Sequence, residues 1–370
     1  MIEMGPYKVA DPDALETPAM LVYEDVLDHN IRALCELVGG GENLIVHVKT
    51  HKAEAVARKQ AEAGVAGFKC ATLSELEMAL AAGGKEVILA YPLAQRIKVE
   101  RLAEIVKKNS EAVVSAIVSQ PQHVQLLGEV AQQRQQRLRV MVDLDVGMHR
   151  TGVEPGEAAV ALYRSVAEHP QLEAHGLHAY DGHDHFVDEG ERAQAAQRNI
   201  DATRAVAQRL QDAGLAVPRI VGGGSFSFAY YARAEDMCGS PGTCIYWDLG
   251  YGNSMPDMPF KWAALVLAQV VDIDKERQTV TTDLGHKAVS GDVPLSKRAR
   301  LLQNESAELV GQHEEHGVFS WQGELPAIGS YVLAVPGHVC PTTIRYPGSY
   351  VLDAEGQVVD YYPHTARDRQ

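Results

Sequence analysis

The chain lacks a surplus of positive charge and contains few aromatic residues. Its 370 residues include 34 lysines and arginines against 49 aspartates and glutamates, which gives a formal net charge of −15. A chain this acidic is poorly suited to bind nucleic acid or an anionic membrane, so we expect neither as a partner. We interpret the acidity itself as an aid to solubility.

The sequence also gives no sign of disulfides, a membrane span or a secretory signal. Its cysteines are only five, an odd number scattered along the chain, and this indicates a reducing cytoplasm rather than a disulfide framework. No stretch approaches the roughly 18 apolar residues that a spanning helix needs. The start, Met1–Pro6, has neither a basic cluster nor a long apolar run, so we expect no secretory signal there.

Short apolar runs alternate with longer amphipathic ones through the first two thirds of the chain. The series opens with Ala19–Val22, includes pairs such as Leu138–Leu144 followed by Glu157–Ala167, and closes with Arg219–Val221 and Thr243–Trp247. Roughly eight strand–helix units predict a parallel sheet closed into a (β/α)8 barrel, with a doubly wound open sheet as the alternative. No Gly-x-Gly-x-x-Gly follows the first strand, which disfavours a dinucleotide site.

Beyond about Pro256 the pattern changes to short β-rich runs separated by turns. Runs such as Thr279–Thr282 and Val358–Tyr362 are typical of an antiparallel β domain. We therefore expect two domains, a barrel over residues 18–255 and a β domain over residues 256–370. Residues 1–17 are expected to pack with the β domain.

Lys49 lies at the end of an apolar run, Leu44–Val48, with His47 and His51 beside it. In a (β/α)8 barrel the carboxyl ends of the strands face the active site. A partly desolvated lysine near other cationic groups is favoured as a neutral amine that can form a Schiff base with an aldehyde. An exposed lysine at a strand end is the simpler alternative.

A glycine run, Gly222–Gly224, is followed by serines in the loop after a predicted strand. Glycines let backbone N–H groups approach an anion, and the Ser225 hydroxyl adds a donor. Late loops of barrels are common phosphate sites, although a flexible turn would have the same sequence.

Two other strand ends carry titratable residues. Arg150, at the end of the segment Asp143–Gly152, could pair with a phenolate or a carboxylate, or could lie on the surface. The segment His178–His185 holds three histidines in eight residues, and a histidine at this place suits general base catalysis.

His338 and Cys340 stand one residue apart near the end of the chain. On a strand or extended loop, such a pair would point the same way, and imidazole with thiolate suits zinc or a similar metal. Two protein ligands leave coordination positions for another residue, water or substrate, and such openness is typical of a catalytic metal. A chance pairing without metal is the alternative.

Taken together, these segments resemble the fold type III pyridoxal phosphate enzymes that comprise D-threonine aldolases and D-serine dehydratases. The segment His47–Lys52 is similar to their cofactor-lysine motif, and Pro336–Thr342 is similar to their C-terminal metal motif. The glycine run and the pattern Asp145-x-Gly147-x-x-Arg150 support the resemblance, which extends from Thr17 to the tail. It implies an alanine-racemase-like barrel followed by a β domain, usually in a homodimer.

The resemblance also implies roles for individual residues. Lys49 would be the Schiff-base lysine, Arg150 would lie beside the phenolic oxygen of the cofactor, and His183 would lie near the substrate hydroxyl. His338 and Cys340 would bind a divalent ion, zinc or manganese. Contacts to pyridoxal 5′-phosphate are implied for Lys49, Arg150, Tyr180, Gly223, Gly224 and Ser225.

The resemblance leaves two reactions open. Aldolases of the family pair the metal-binding histidine with an aspartate, whereas D-serine dehydratases use His-x-Cys, as here. The segments Tyr180–His183 and Gly239–Thr243 nevertheless resemble the bacterial aldolase branch. In an aldolase, a base such as His183 or a metal-bound hydroxide would remove the hydroxyl proton; in a dehydratase, Lys49 would remove the Cα proton.

We therefore expect a lyase that acts on D-3-hydroxy amino acids, with cleavage of D-threonine to glycine and acetaldehyde favoured over dehydration of D-serine or D-3-hydroxyaspartate. An amino-acid racemase and a non-enzymatic pyridoxal phosphate carrier are further alternatives. The pair His338 and Cys340 disfavours both, because racemisation needs no hydroxyl ligand and carriers resemble the barrel alone.

Overall fold

In the computed structural model, which describes residues 1–369, the chain forms two compact units. The barrel unit comprises residues 34–49, 57–242 and the end of the chain from Asp368. The β-rich unit comprises residues 1–33, 50–56 and 243–367. The expected barrel of residues 18–255 includes three segments that lie in the β-rich unit, namely residues 18–33, 50–56 and 243–255.

The barrel unit is built on eight parallel strands in sequential order. These strands are Ile45–His47, Gly67–Cys70, Glu86–Leu89, Val113–Val118, Leu138–Leu144, Leu172–Ala179, Arg219–Gly222 and Cys238–Gly239. The sequential strand order, in which no strand reverses the direction of winding, favours the predicted (β/α)8 barrel over the doubly wound open sheet.

The first and last barrel strands meet, so the sheet is nearly closed. Leu44 forms an isolated parallel bridge with Gly239. The Ser240 hydroxyl donates to the Ile45 carbonyl at 2.7 Å, and the His47 backbone N–H donates to the Pro241 carbonyl at 2.7 Å. The last strand is therefore Cys238–Gly239, and the expected closing strand at Thr243–Trp247 was wrong: Thr243–Ile245 is a 3-10 turn.

The strands are apolar because both of their faces are buried. A cluster of fully buried side chains from six strands packs together, as expected for a barrel interior. Its members are Ile45, Ile88, Ile117, Met141, Val221 and Cys238. A charged residue within such a strand is therefore unusual, which makes Lys69 in Gly67–Cys70 a position of interest.

Amphipathic helices connect the barrel strands. The helix Leu73–Ala81 begins as the sequence predicts, with the Thr72 hydroxyl accepting from the Glu75 backbone N–H at 3.1 Å. The Glu75 carboxylate accepts from the Ala71 N–H. The remaining helices within this unit are Arg96–Lys108, Pro121–Gln133, Glu157–Ala167, Glu189–Asp212 and Phe228–Ala232. Glu24–Glu36 and Glu54–Glu62 each have residues in both units.

The β-rich unit contains a two-stranded hairpin and a nine-stranded sheet. The hairpin pairs Ile2–Met4 with Tyr7–Val9. The strands of the large sheet are Ala19–Tyr23, Ala264–Asp274, Thr279–Thr282, Ala299–Leu301, Glu308–Gln312, Gly317–Ser320, Tyr331–Pro336, Gly348–Leu352 and Val358–Pro363. Short helices cover Leu249–Ser254 and Val339–Thr343.

Ala19–Tyr23 was expected to open the barrel series, but it is a central strand of the nine-stranded sheet. It pairs antiparallel with Ala264–Asp274 and parallel with Gly348–Leu352, so the β domain is not purely antiparallel. All five of its residues are buried, and a short apolar run suits either kind of sheet. Periodicity alone could not assign it to a unit.

Among residues 1–369, no helix combines the length and the apolar composition that a bilayer span requires. Each of the five cysteines, all of which lie within the described residues, is a free thiol.

A buried ion pair joins the start of two barrel strands. Glu86 accepts from two nitrogens of Arg219, at 3.0 and 2.6 Å. Burial would raise the pKa of Glu86, but hydrogen bonds from His175 and Arg219 outweigh it and lower the pKa below 4.5. The amino ends of barrel strands serve stability rather than catalysis, so this pair is structural.

We predict that Glu86→Gln lowers stability by roughly 1–3 kcal/mol at neutral pH, because Arg219 loses its charged partner in a half-buried place. A depressed folded-state pKa contributes stability above the unfolded pKa, and this contribution is lost as the pH falls through the folded value. The difference between the two proteins should therefore shrink below about pH 4.5. Thermal unfolding at several pH values measures it.

The matched control is Glu104→Gln, which breaks an exposed pair with Arg134 at 3.2 Å. Exposed pairs contribute little, so we expect a change of at most about 1 kcal/mol. Equal losses in both variants would contradict the structural role of the Glu86 pair.

Candidate active site

Lys49 lies just beyond the first barrel strand. Its backbone N–H donates to His47 Nδ1 at 3.2 Å, and the neighbouring Val48 N–H donates to the Lys69 carbonyl at 2.9 Å. The end of the first strand is thus fixed against the second. The half-buried position of Lys49 at the carboxyl end of the strand is the one that the sequence predicts.

A second lysine, which the sequence analysis overlooked, lies inside the same end of the barrel. Lys69 is 2 % exposed, and its ammonium nitrogen lies 3.5 Å from His178 Nε2. Burial, reinforced by the positive charge of Lys49, lowers the pKa of Lys69 to about 7. Its position within an apolar strand was the signal that could have identified it.

Two cationic side chains of the barrel unit lie over the ring of Tyr180. The Lys69 ammonium lies 5.5 Å from the centre of the Tyr180 ring, and the Arg150 guanidinium lies 4.9 Å from the same centre. Both distances are within the range of cation–π attraction. The structure therefore brings Arg150 and Tyr180 together, as the resemblance implied, and adds Lys69 to them.

His178 links this group to a buried carboxylate. Its Nδ1 lies 2.6 Å from Asp143 Oδ1, and the other Asp143 oxygen accepts from the Thr151 hydroxyl at 2.8 Å. Burial lowers the pKa of His178 despite the Asp143 contact, and the charge of Lys69 reinforces the effect. A neutral His178 that donates from Nδ1 presents its Nε2 lone pair to Lys69.

The glycine loop packs against the same tyrosine. A side chain at Gly224 would approach the Tyr180 ring to 3.1 Å, and Gly223 has a φ of +78°, which favours glycine. The Gly224 N–H donates to the Ser227 hydroxyl, which in turn donates to Asp181 at 2.7 Å. Burial raises the pKa of Asp181.

Ser225, the third predicted member of the loop, is also buried. The loop is thus a tight backbone turn that is held, through the Ser227 hydroxyl, by the buried carboxyl group of Asp181. Glycine turns of this kind are common places for a phosphate group. In this loop the N–H groups of Gly223 and Gly224 donate to the Ala179 carbonyl and the Ser227 hydroxyl. The residues of the barrel unit therefore fit pyridoxal 5′-phosphate: Lys69, Arg150 and the glycine loop lie close to the Tyr180 ring, and Lys49 is a charged neighbour of Lys69.

His183 lies against the loop that carries Arg150. A side chain at Gly147 would come within 2.6 Å of His183 Nε2, so the glycine permits this approach. Gly147 has a φ of +123° and donates its N–H to Asp145 at 3.0 Å. The histidine is about one third exposed and its Nε2 lies 3.5 Å from Asp184, so it remains accessible for proton transfer.

His338 and Cys340 lie in the β-rich unit, but not on the expected strand. His338 is the N-cap of the short helix Val339–Thr343, and Cys340 is in its first turn. Pro341 also falls in that turn, where a missing N–H costs nothing. The alternation argument for the pair was therefore wrong, although the two side chains still interact.

A carboxylate contacts the Nδ1 nitrogen of His338. Asp292 Oδ2 lies 2.6 Å from His338 Nδ1. Burial would lower the pKa of His338, but its hydrogen bonds to Cys340 and Asp292 outweigh burial and raise the pKa to about 9. With Nδ1 bound to a carboxylate, Nε2 is the nitrogen left for a metal, an arrangement common among metal-binding histidines.

Asp248 is a second supporting carboxylate, and no sequence pattern marks it. It is 1 % exposed and accepts from the backbone N–H of Val339, the residue between His338 and Cys340, at 3.0 Å. It also accepts from the Tyr251 N–H at 3.0 Å. Burial raises the pKa of Asp248 to about 6. Asp248 therefore fixes the backbone that carries both predicted ligands.

The Cys340 thiol has two hydroxyl neighbours, Thr50 at 3.2 Å and Thr243 at 3.5 Å. Within residues 1–369, no three His, Cys, Asp or Glu side chains are arranged to hold a metal ion. A metal on His338 and Cys340 would therefore need water or substrate to complete its coordination. The donor types and the carboxylate behind the histidine fit a borderline metal such as zinc.

These features agree with the sequence families that the chain matches. The chain belongs to the family defined by the alanine racemase N-terminal domain, whose model matches residues 22–249. A second model, described as a putative serine dehydratase domain, matches residues 263–352. The pairing of these two domains is the architecture that the resemblance implied.

The chain is similar to several enzymes along nearly its whole length. It is 28 % identical to a 3-hydroxy-D-aspartate aldolase from Paracoccus denitrificans, over 97 % of this chain and 94 % of that protein. It is 25 % identical to a D-threo-3-hydroxyaspartate dehydratase from a Delftia species, over 93 % of this chain and 96 % of that protein. The crystal structure of a D-threonine aldolase from Filomicrobium marinum matches with a TM-score of 0.88 and 28 % identity, covering 98 % and 99 % of the two chains.

The burial of Lys69 predicts how the folding stability of the cofactor-free protein depends on pH. Because its folded-state pKa of about 7 lies below the usual 10.5, the folded chain binds fewer protons between these values, and stability rises with pH there. Below about pH 7 the cost of burying the charge is fully present. Replacing Lys69 with methionine should remove that cost, since apolar residues often stabilise such positions.

We therefore expect Lys69→Met to be more stable than the parent at pH 6, by a few kcal/mol since one pKa unit is about 1.4 kcal/mol, with the advantage shrinking above pH 7. Thermal unfolding of the cofactor-free proteins across this range measures the effect. Lys107→Met, on the exposed surface of Arg96–Lys108, is the matched control and should show no such pH dependence. A difference independent of pH would contradict the prediction.

Proposed function

We propose that the protein is a lyase that depends on pyridoxal 5′-phosphate and a divalent metal and acts on D-3-hydroxy amino acids. The favoured reaction is cleavage of D-threonine to glycine and acetaldehyde. The observation that carries this proposal is the support of His338 by Asp292, at 2.6 Å, beside Cys340. An amino-acid racemase or a simple cofactor carrier has no use for such a supported metal pair.

The residues of the barrel unit divide the task of holding the cofactor. Lys49 provides the amine for the aldehyde carbon, the Gly223–Ser225 loop receives the phosphate, and Arg150 receives the phenolic oxygen. When bound, the cofactor supplies an electron sink for negative charge at Cα, and the metal supplies a Lewis acid for the substrate hydroxyl. The protein's contribution is position and charge.

Proton transfer falls to residues of the chain. In the aldolase reaction His183 accepts the hydroxyl proton as the Cα–Cβ bond breaks, and its partial exposure leaves Nε2 able to reach a bound substrate. In a dehydratase, Lys49 would instead take the Cα proton while the hydroxyl leaves. The two reactions thus differ in which proton is removed and in which residue, His183 or Lys49, removes it.

Dehydration of D-serine or D-3-hydroxyaspartate is the second candidate. It is favoured by one specific observation: Cys340 occupies the position where the family resemblance associates aspartate with aldolases and cysteine with dehydratases. The relatives with similar sequences carry the names of both activities. The proposal favours the aldolase because of the segments Tyr180–His183 and Gly239–Thr243.

We further propose that the protein works as a homodimer in the cytoplasm, as the resemblance implies. Five free thiols support a reducing compartment. Sedimentation of the loaded protein at micromolar concentration tests the dimer, and a monomeric mass would contradict it.

We predict that the protein, loaded with pyridoxal phosphate and manganese or zinc, converts D-threonine to glycine and acetaldehyde. Chromatography of the amino acids and an aldehyde assay measure both products. Ammonia and a 2-oxo acid from D-threonine or D-serine would instead identify a dehydratase. Activity that survives complete removal of metal by a chelator would contradict the metal role of His338 and Cys340.

We predict that Asp292→Ala weakens metal binding by roughly 10- to 100-fold, because the carboxylate orients His338 and raises its basicity. Competition with a chromogenic chelator measures the affinity directly, without reference to turnover. Asp272→Ala, at an exposed position of the same unit, is the matched control and should bind metal as the parent does. Equal affinities in all three proteins would show that Asp292 has no such role.

A further inference from the structure

Lys69 is a buried cation for which the residues so far assigned have no task. It is 2 % exposed, and its hydrogen-bond partner is the neutral imidazole of His178 at 3.5 Å. Burying an ammonium without a negative partner is costly in a protein interior. Such a side chain persists where an anion occupies the space beside it in the working protein.

The nearby carboxylates are already engaged. Asp143 is bound to His178 and Thr151, and Asp181 accepts from Ser227. Both influence Lys69 only from a distance, raising its pKa less than burial and Lys49 lower it. The barrel unit therefore holds more positive than negative charge at this place, with Lys49, Lys69 and Arg150 as neighbours.

Two of these cationic side chains lie near the same aromatic ring. Lys69 and Arg150 lie 5.5 and 4.9 Å from the centre of the same Tyr180 ring. An anionic oxygen beside that ring could contact both an ammonium and a guanidinium at once. The glycine loop, which packs on Tyr180 through Gly224, is the place that the proposed function assigns to a separate anion, the phosphate.

We propose that Lys69 is a cofactor-binding residue that, together with Arg150, holds the phenolic oxygen of pyridoxal 5′-phosphate as the phenolate. This inference rests on the proposed function, because it requires the cofactor to bind at Lys49. The phosphate is assigned to the glycine loop, so the phenolic oxygen is the remaining anionic group of the cofactor. The neutral His178 keeps the Lys69 ammonium directed into the site.

The test compares two ligands on the cofactor-free protein: pyridoxal 5′-phosphate and its analogue without the 3-hydroxyl group. Dissociation constants are measured by absorbance titration. The parent should prefer the natural cofactor, and Lys69→Met should lose roughly 10- to 100-fold of that preference, since a charge-assisted hydrogen bond contributes about 1.5–3 kcal/mol. Lys69→Arg, which keeps the charge, should retain most of the preference.

Lys107→Met is the control at an exposed position and should match the parent for both ligands. An equal loss of affinity for both ligands in Lys69→Met would overturn the assignment to the phenolic oxygen. A parent protein that binds both ligands within threefold of each other would also overturn it, whether or not the variants fold.

The proposed function can be separated from this inference in the same titrations. If pyridoxal phosphate gives its visible band in the parent and loses it in Lys49→Ala, the cofactor site stands. An unchanged ligand preference in Lys69→Met would then overturn the role of Lys69 and leave the proposed function intact. If the parent binds no cofactor, both the proposed function and the role of Lys69 fail.

Discussion

The barrel unit contains a cluster of positive charge that its own carboxylates do not neutralise: Lys69 is buried, Lys49 is half-buried and Arg150 is exposed. Lys69 lies within the barrel wall, Arg150 lies over the same Tyr180 ring, and Lys49 is close enough to lower the pKa of Lys69. This arrangement is unfavourable for an empty barrel and favourable for one that holds an anion. Stability and function are thus opposed at this end of the barrel, as is common at active sites.

The positions of the predicted metal ligands depend on a different constraint, which is the orientation of the short helical turn that begins at His338. Neither His338 nor Cys340 has a regular strand to align it, and the turn between them is fixed by Asp248 through the Val339 N–H. Because Asp292 contacts Nδ1 of His338, Nε2 is the nitrogen that remains for a metal. One buried carboxylate, Asp248, and one exposed carboxylate, Asp292, thereby convert a two-residue sequence pattern into a preorganised donor pair.

The sequence predicted the parts of the fold that depend on local pattern. Strands such as Leu138–Leu144 and helices such as Glu157–Ala167 have the expected bounds, because buried strands and amphipathic helices have different periods. Ala19–Tyr23 was assigned to the wrong sheet because its partners, Ala264–Asp274 and Gly348–Leu352, lie far away in sequence. Pairing between distant strands leaves no local signal.

The candidate site shows the same division between local and distant information. Lys49, Arg150 and the glycine loop could be selected because each follows a recognisable strand. Asp248 and Asp292 could not, since a carboxylate that supports a distant residue has no pattern of its own. Lys69 could have been noticed, because lysine is rare within a buried apolar strand.

Lys49 is proposed to hold pyridoxal phosphate, and a second lysine in the same charged cluster, Lys69, provides an internal comparison. The loaded protein can be reduced with borohydride, digested and analysed by peptide mass spectrometry. We expect the cofactor mass on the peptide that carries Lys49 and not on the peptide that carries Lys69. A label on Lys69, or no label on either lysine, would contradict it.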